Sequence, residues 1–155
     1  MANKFDLVLD RVFDAPRELV WQAWTDTAQL QEWWGPARFT NPVCRADVRP
    51  GGAIYIEMRG PDGTVYPMSG KFHDVVAQER IVFSSGALDA EGKLLFEILT
   101  TVTFSDFEGK TALHLEAKVT GETALAPRYL AGMEQGWNQS LDRLAALLAK
   151  SGKAE

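Results

Sequence analysis

The feature that most constrains this chain is a long stretch of two-residue periodicity, followed by a single helical segment. Between residue 39 and about residue 120, apolar side chains recur at every second position in several short runs, as in AIYIEM at 53–58. This period is typical of strands that bury one face. Short glycine-containing segments such as GPDG at 60–63 separate the runs, and connections this short join antiparallel neighbours. The sequence therefore predicts an antiparallel meander of about six strands.

The residues before this meander predict one more strand and two short helices. The run FDLVLDRVF at 5–13 alternates, and its one irregularity is Arg11 on the otherwise apolar face. Pro16 suits the first turn of a helix that begins within DAPRELVWQAWTD. Asp26 can cap a second, shorter helix, which the Gly-Pro pair at 35–36 ends.

The last part of the chain returns to a helical period. From about 124 to 149, apolar residues recur at steps of three and four, after a proline at 127 that can open a helix. The positions that form this stripe are Leu130, Met133, Trp137, Leu141, Leu144 and Leu148. One helix of about 40 Å is therefore predicted at the C-terminal end.

These elements predict an α+β protein in which a curved sheet grips a helix. About seven strands at a spacing of about 4.8 Å make a sheet roughly 30 Å wide, whereas a helix with its side chains is about 10–12 Å across. Because nearly every strand has an apolar face, the sheet must curl around the helix, and the helix pair closes one end. We expect residues 1–155 to form a single domain of this kind.

A broad apolar wall and a narrow helix predict a hollow between them. We expect a partly empty space between the sheet and the C-terminal helix, which is the usual form of a small-molecule site. Its predicted lining is Trp34, Ile54, Ile56, Met58, Tyr66, Met68, Phe72, Phe83, Phe96, Ile98, Met133 and Trp137. The alternative is that the same side chains form a close-packed core, and the sequence alone leaves both interpretations open.

The paired tryptophans of LQEWWGP at 30–36 raise a separate question, because neighbours on a helix point about 100° apart. We expect one of the rings of Trp33 and Trp34 to lie in the core. The other is expected near the mouth of the cavity or at the surface, where plugging the mouth is favoured over binding a protein partner. Tyr66 is the polar group expected to point inward, since its ring packs while its hydroxyl needs a hydrogen-bond partner.

Residue types that carry catalysis are scarce on the predicted inner faces. His73 and His114 fall on the faces opposite the apolar residues, which predicts solvated side chains. Arg11 needs a partner such as Asp47 or Glu57 if it is buried, whereas a surface arginine needs none. There is no nucleophile beside a base and no phosphate-binding glycine loop. The sequence therefore favours a non-enzymatic protein.

Charge and cysteine content argue against several other classes. A net charge of -5 and a pI of about 5.1, without a Lys/Arg cluster, argue against a nucleic-acid groove or a membrane-binding surface. The N-terminal residues lack the layout of a signal peptide, and no apolar run is long enough to span a membrane. Cys44 is the single cysteine, so no internal disulfide is possible, and the two histidines are not spaced for zinc. We expect a cytoplasmic protein without a metal or cofactor.

Several segments resemble one known family in their order along the chain. RVFDAPRELVWQAWTD, WWGP, DVRPGG, GPDG and GMEQGWNQSLDRL are similar to the bacterial homologues of the C-terminal domain of the heat-shock-protein-90 ATPase activator (AHSA1-like). That family belongs to the START-like, helix-grip superfamily (SRPBCC), which includes birch-pollen-type (Bet v 1-like) allergens and aromatase/cyclases. The resemblance runs from Arg11 to Leu144 and implies the fold predicted above.

The resemblance also implies a class of ligand, because the superfamily mostly binds lipids, sterols and polyketides. We therefore expect a protein that holds a small apolar or aromatic molecule between the sheet and the helix. Two alternatives stay open. One is a stress-related, co-chaperone-like domain or a homodimer that uses an exposed tryptophan, and the other is a cyclase or hydrolase that acts on a cavity-bound substrate.

Overall fold

The chain runs from one strand through two short helices and six further strands into a long helix. The computed structural model describes residues 7–35, 38–87, 91, 97–119 and 126–153, without the side chains of 87, 126–133 and 150–153. The elements are β1 (Leu7–Phe13), α1 (Arg17–Thr25), α2 (Thr27–Trp33), β2 (Thr40–Ala46), β3 (Ala53–Arg59), β4 (Val65–Val76), β5 (Arg80–Ala87), β6 (Ile98–Phe107), β7 (Lys110–Val119) and α3 (Ala126–Lys153).

The strands form one sheet, and every neighbouring pair is antiparallel. Its order is β1-β7-β6-β5-β4-β3-β2, so six consecutive strands pair as a meander and β1 joins the far side of β7. The helix pair follows β1, and α3 packs on the sheet. The predicted helix-grip α+β fold is confirmed, with seven strands.

The inner face of the sheet is built from alternate residues of each strand, because successive side chains point to opposite faces. Ile54 and Ile56 of β3 are buried, as are Phe83 of β5 and Leu115 of β7. The register aligns these positions from strand to strand, so that Phe83 lies opposite both Phe72 and Thr100. A continuous apolar surface results.

Two local features bend the middle of the sheet. A register shift between Phe72 and Asp74 marks a bulge in β4, and bulges increase the twist of a strand. Two residues earlier, β4 comes so close to β5 that a Cβ on Gly70 would collide with the carbonyl oxygen of Ser84. Glycine is therefore required at position 70 by the approach of two backbones.

The helix pair α1–α2 packs as a unit through aromatic and small residues. Helix α1 begins directly after Pro16, and it buries Val20, Ala23 and Trp24. The indole Nε1–H of Trp33 in α2 donates a hydrogen bond of 2.9 Å to the carbonyl oxygen of Ala23. The two helices predicted after the first strand are thus confirmed, and a buried tryptophan connects them.

Helix α3 buries Leu141, Leu144 and Leu148 of its predicted stripe. Arg11 is half-buried and does have partners, but neither Asp47 nor Glu57 is among those observed: Nη2 lies 3.0 Å from Asp142 Oδ1 and also donates to Asn138. The direction in which α3 crosses the sheet determines this contact. Neither α3 nor any other helix in the described ranges has both the length and the hydropathy needed to cross a membrane.

Candidate ligand site between the sheet and the long helix

A cluster of aromatic rings lies where the helix pair, the sheet and α3 meet. The rings of Trp34 and Trp137 meet edge to face with centroids 5.5 Å apart, and Trp137 stacks on Trp24 at 6.0 Å. Phe83 of β5 lies 6.2 Å from Trp34. Offset and edge-to-face pairs at such distances are the favoured arrangements of aromatic side chains. Trp34 and Trp137 are therefore packed into one aromatic cluster between helix and sheet.

The residues predicted to line a cavity fall into three groups. Six are buried: Trp34, Ile54, Ile56, Met68, Phe72 and Phe83. Three are half-buried against the core: Met58, Ile98 and Trp137. Phe96 and the side chain of Met133 lie outside the described residues. Tyr66 is exposed, and the lining of a cavity by these side chains stays a prediction.

Two of the half-buried residues, Met58 and Ile98, lie at one end of the inner face. Met58 is opposite Tyr66 next to the β3–β4 turn, and Ile98 begins β6. The next rows along the strands are buried, with Ile56 opposite Met68 and with Thr100 two residues after Ile98. Apolar side chains at this end of the sheet thus keep accessible surface that those farther along have lost.

Tyr66, the polar group expected to point inward, keeps 46% of its surface exposed, and its orientation toward a ligand stays a prediction. Among the described residues, pairing of β4 with β5 begins at Met68, so the strand partner described for Tyr66 is Met58 of β3. Its ring lies 5.9 Å from Phe39, which precedes β2. Two aromatic side chains therefore form a rim beside Met58.

Both rings of the paired tryptophans are buried, although one of them was expected at the mouth or surface. Helix α2 ends at Trp33, and Trp34 adopts an extended conformation (φ -64°, ψ 136°). Leaving the helix turns its side chain inward, and the residue is only 7% exposed. All five tryptophans of the chain are buried or half-buried. The exposed tryptophan of the interaction hypothesis is therefore absent.

Polar side chains from two elements hold the main chain at Trp34. Arg143 of α3 donates from Nη1 to the carbonyl oxygens of Trp34 and Gly35 at 3.1 and 3.0 Å, and from Nη2 to that of Glu32 at 2.9 Å. Asn41 of β2 donates from Nδ2 to the carbonyl of Trp34 at 2.8 Å. The Glu32 carbonyl lies in the last turn of α2 and those of Trp34 and Gly35 directly follow it, where the helix supplies no donors. Desolvation lowers the pKa of Arg143 from its ordinary value.

A separate groove of about 360 Å³ lies on the surface beside this turn. Its lining residues are Gln31, Glu32, Thr40, Asn41, Pro42 and Arg143. None of them belongs to the predicted cavity lining, and most are polar. The groove thus lies on the outer side of the segment at the end of α2, and the Trp34 ring lies on its inner side.

Neither Cys44 nor the pair of His73 and Ser84 is arranged as a catalytic nucleophile. Burial raises the pKa of the Cys44 thiol to about 11, so the thiol stays protonated near neutral pH. On the outer face, His73 Nε2 lies 2.9 Å from the Ser84 hydroxyl, and Ser84 is only 8% exposed. A hydroxyl this buried is poorly placed to attack a substrate.

His114 on the outer face lies between two carboxylates. Its Nδ1 is 2.6 Å from Asp10 of β1, and its Nε2 is 2.9 Å from Glu116. These hydrogen bonds, first to Asp10 and then to Glu116, raise the pKa of His114. Because the carboxylates bind opposite sides of the ring, they do not converge on a common point, and no metal-binding group of three side chains occurs in the described ranges. The period of two places His114 outward but does not reveal these partners.

Seven antiparallel strands, a helix pair after β1 and a long C-terminal helix on the sheet define a helix-grip α+β protein of the SRPBCC class. Residues 14–149 match the family model of the activator of Hsp90 ATPase homolog 1-like proteins, AHSA1. The chain belongs to this family.

Solved bacterial structures share the whole fold. The chain is similar to a protein from Nitrosomonas europaea, with 27% identity over 100% of both chains and a TM-score of 0.84. It is also similar to the AHSA1 protein from Silicibacter pomeroyi, with 28% identity over 94% of this chain and 98% of that chain and a TM-score of 0.79. A protein from Chromobacterium violaceum is 29% identical over 91% of this chain and 94% of its own, with a TM-score of 0.74. No protein with a curated description matches the chain.

Proposed function

We propose that this protein binds a small apolar or aromatic molecule between the inner face of the sheet and α3, without catalysing a reaction. The observation that carries the proposal is the set of half-buried apolar side chains Met58, Ile98 and Trp137, which pack against the core while keeping part of their surface exposed. The mostly lipid- and polyketide-binding superfamily that the sequence resembles supports the same class of ligand.

Affinity would come mainly from covering this apolar surface. Burial contributes about 25 cal/mol per Å² of apolar area, less the cost of ordering the ligand. Trp137 stacks on Trp24 and meets Trp34 at its edge, so ring positions are set before a ligand arrives. A flat aromatic or polycyclic body therefore suits this surface better than a flexible chain.

Polar selection would come from the rim. Tyr66 lies beside Met58 and Phe39, and its side chain is exposed. A phenolic hydroxyl both donates and accepts, so it suits a ligand with one oxygen at the end that stays near solvent. A ligand with several charges would lose hydration in the apolar part without gaining partners.

The test is a titration with N-phenyl-1-naphthylamine, a neutral aromatic probe whose fluorescence rises in apolar surroundings. We expect the wild type to bind the probe, and Trp137→Ala to weaken binding by about tenfold, or about 1.4 kcal/mol. Leu144→Ala is the matched control, because Leu144 is fully buried on the same helix and away from the half-buried side chains. It should reduce stability while leaving the affinity of the remaining folded protein unchanged.

Native mass spectrometry of gently purified protein identifies any molecule that copurifies. The proposal is abandoned if neither the probe nor a screen of lipids and aromatic metabolites binds the folded protein. It is also abandoned if Trp137→Ala and Leu144→Ala change affinity equally. A compound that is consumed with time would assign catalysis instead.

A further inference from the structure

We infer that Arg143 is a positioning residue that sets the location of the Trp34 ring, and through it the affinity of the interior for an aromatic ligand. Because Trp34 belongs to the proposed ligand site, this role rests on the proposed function. Arg143 lines the surface groove on the outer side of the turn at Trp34. It acts on the ring through the main chain of that turn.

Arg143 donates to the carbonyls of three residues at the end of α2, Glu32, Trp34 and Gly35. Nη1 serves the carbonyls of Trp34 and Gly35, and Nη2 serves that of Glu32, at distances of 2.9 to 3.1 Å. A guanidinium offers five N–H groups in a fixed plane, whereas a lysine ammonium is a point donor without this fork. Arginine can therefore fix the orientation of the turn as well as its distance from α3.

Helix α3 thus holds Trp34 at two points. The Trp137 ring meets the Trp34 ring at 5.5 Å, while Arg143 holds the Trp34 carbonyl at 3.1 Å. Both side chains belong to the same helix, in which intervening hydrogen bonds keep residues at fixed separations. If the contact of Arg143 with the Trp34 carbonyl is lost, the main chain at Trp34 can shift relative to α3. We therefore expect the angle between the rings of Trp34 and Trp137 to change.

Asn41 provides the second hold on this turn, from β2. Its Nδ2 donates to the carbonyls of Trp34 and Gln31 at 2.8 and 2.9 Å. The side chain is buried, and its Oδ1 has no hydrogen-bond partner among the residues that the structure describes. A buried carbonyl oxygen without a donor is costly. The donors of Asn41 explain why an amide is nevertheless present, since both of them hold the end of α2.

Arg143 is half-buried beside these carbonyls. Desolvation lowers its pKa, and the nearby charge of Glu32 acts in the opposite direction. A long, charged side chain on a surface usually keeps its hydration. We therefore infer that Arg143 serves to orient the main chain at Trp34.

The experiment compares Arg143→Lys with Arg11→Lys. Arg11 is the control because it is also partly buried and also binds α3, through Asn138 and Asp142, but it does so from Nη2 alone and none of these contacts is with Trp34. Both variants keep the charge, and only Arg143→Lys removes a contact made from two guanidinium nitrogens. Two measurements are made: the near-ultraviolet circular dichroism of the ligand-free protein, which reports the packing of tryptophans, and the Kd for N-phenyl-1-naphthylamine.

We expect Arg143→Lys to change the near-ultraviolet spectrum and to raise Kd about fivefold, while Arg11→Lys leaves the spectrum unchanged and Kd within about twofold. Equal spectra and equal affinities in the two variants overturn the inference. If the wild type does not bind the probe, the proposed function fails in this form, and the spectra alone decide whether Arg143 positions Trp34. A changed spectrum with unchanged Kd also rejects the role in affinity.

Discussion

The two ends of the inner sheet face differ in what covers them. At one end, Phe104 lies 5.4 Å from Trp21 and 6.1 Å from Trp24 of α1, and the Thr111 hydroxyl donates to the carbonyl of Ala15 at 2.7 Å. At the other end, the side chain of Met58 is only half-buried. We call these the sealed end and the open end.

The helix pair closes the sealed end. Helices α1 and α2 follow β1 directly, and aromatic contacts attach α1 to β6 at the sealed end. The open end adjoins the β3–β4 turn, and Tyr66 there is exposed. The sealed end should therefore contribute more to stability, and the open end more to binding.

The largest expected effect is that of Trp33→Ala at the sealed end. Trp33 is fully buried, meets Trp24 at 4.7 Å and donates to Ala23. Truncating a buried aromatic side chain costs about 3–5 kcal/mol in the free energy of unfolding. Urea denaturation followed by far-ultraviolet circular dichroism measures this loss.

Met58→Ala provides the contrast at the open end. Because Met58 already keeps part of its surface exposed, its loss should cost about 1–2 kcal/mol, less than for a fully buried methionine. Its effect on the Kd for the naphthylamine probe should instead exceed that of Trp33→Phe, which retains an aromatic ring. Equal destabilisation by Trp33→Ala and Met58→Ala would remove the distinction between the two ends.

An intermediate effect is expected for Gly70→Ala, between the two ends. The new methyl group would meet the Ser84 carbonyl, so β4 or β5 must move. Forcing extra atoms into such a place costs about 1–3 kcal/mol. The shift passes along β4 to Met68 and Tyr66, so the variant should also change probe affinity.

Ser69→Ala is the matched control, because Ser69 directly precedes Gly70 on β4 and the substitution adds no atom to the strand. A Gly70→Ala protein with wild-type stability, measured in the same urea titration, would mean that β4 and β5 separate without cost. The close approach of β4 and β5 at Gly70 would then not constrain the sheet between the two ends.

The fold was predictable because each part has a local signal. The alternation at 53–58 and the GPDG segment predict a hairpin, and β3 and β4 form it, with Gly63 in the left-handed region at φ 89°. Glycine tolerates this conformation at no steric cost. Antiparallel order then follows from the short connections. The helical period of the tail likewise predicts the buried positions of Leu141 and Leu144.

The site was less predictable because its contacts depend on how elements cross. Arg11 binds Asp142 on α3, while the candidates considered for a buried arginine are engaged elsewhere, Asp47 with Arg49 and Glu57 with Tyr55. The two-residue alternation of β4 assigns Tyr66 to the inner face of the sheet. It does not show how far along that face the helices cover the strands. No local pattern marks Arg143, because its acceptors are backbone carbonyls more than one hundred positions away.

The smallest expected effect concerns the outer face of β1, the edge strand that leads into the sealed end. His114 joins β7 to β1 through its 2.6 Å contact with Asp10. The raised pKa means that the folded protein holds the proton more tightly than the unfolded chain, whose ordinary value is 6.5. The contribution is therefore complete below pH 6.5 and disappears as the pH rises through the raised value.

His114→Gln should consequently lower the unfolding free energy below pH 6.5 and match the wild type at alkaline pH. The side chain is 39% exposed, so water screens the pair and the loss should stay below about 1 kcal/mol. Urea titrations at several pH values measure the difference, with His73→Gln as the control on the same face. A loss that grows with rising pH would reverse the sign and show that Asp10 and Glu116 do not favour the protonated ring. A loss independent of pH would mean that His114 supports β1 by packing alone, and that the edge of the sealed end is held in the same way as its interior.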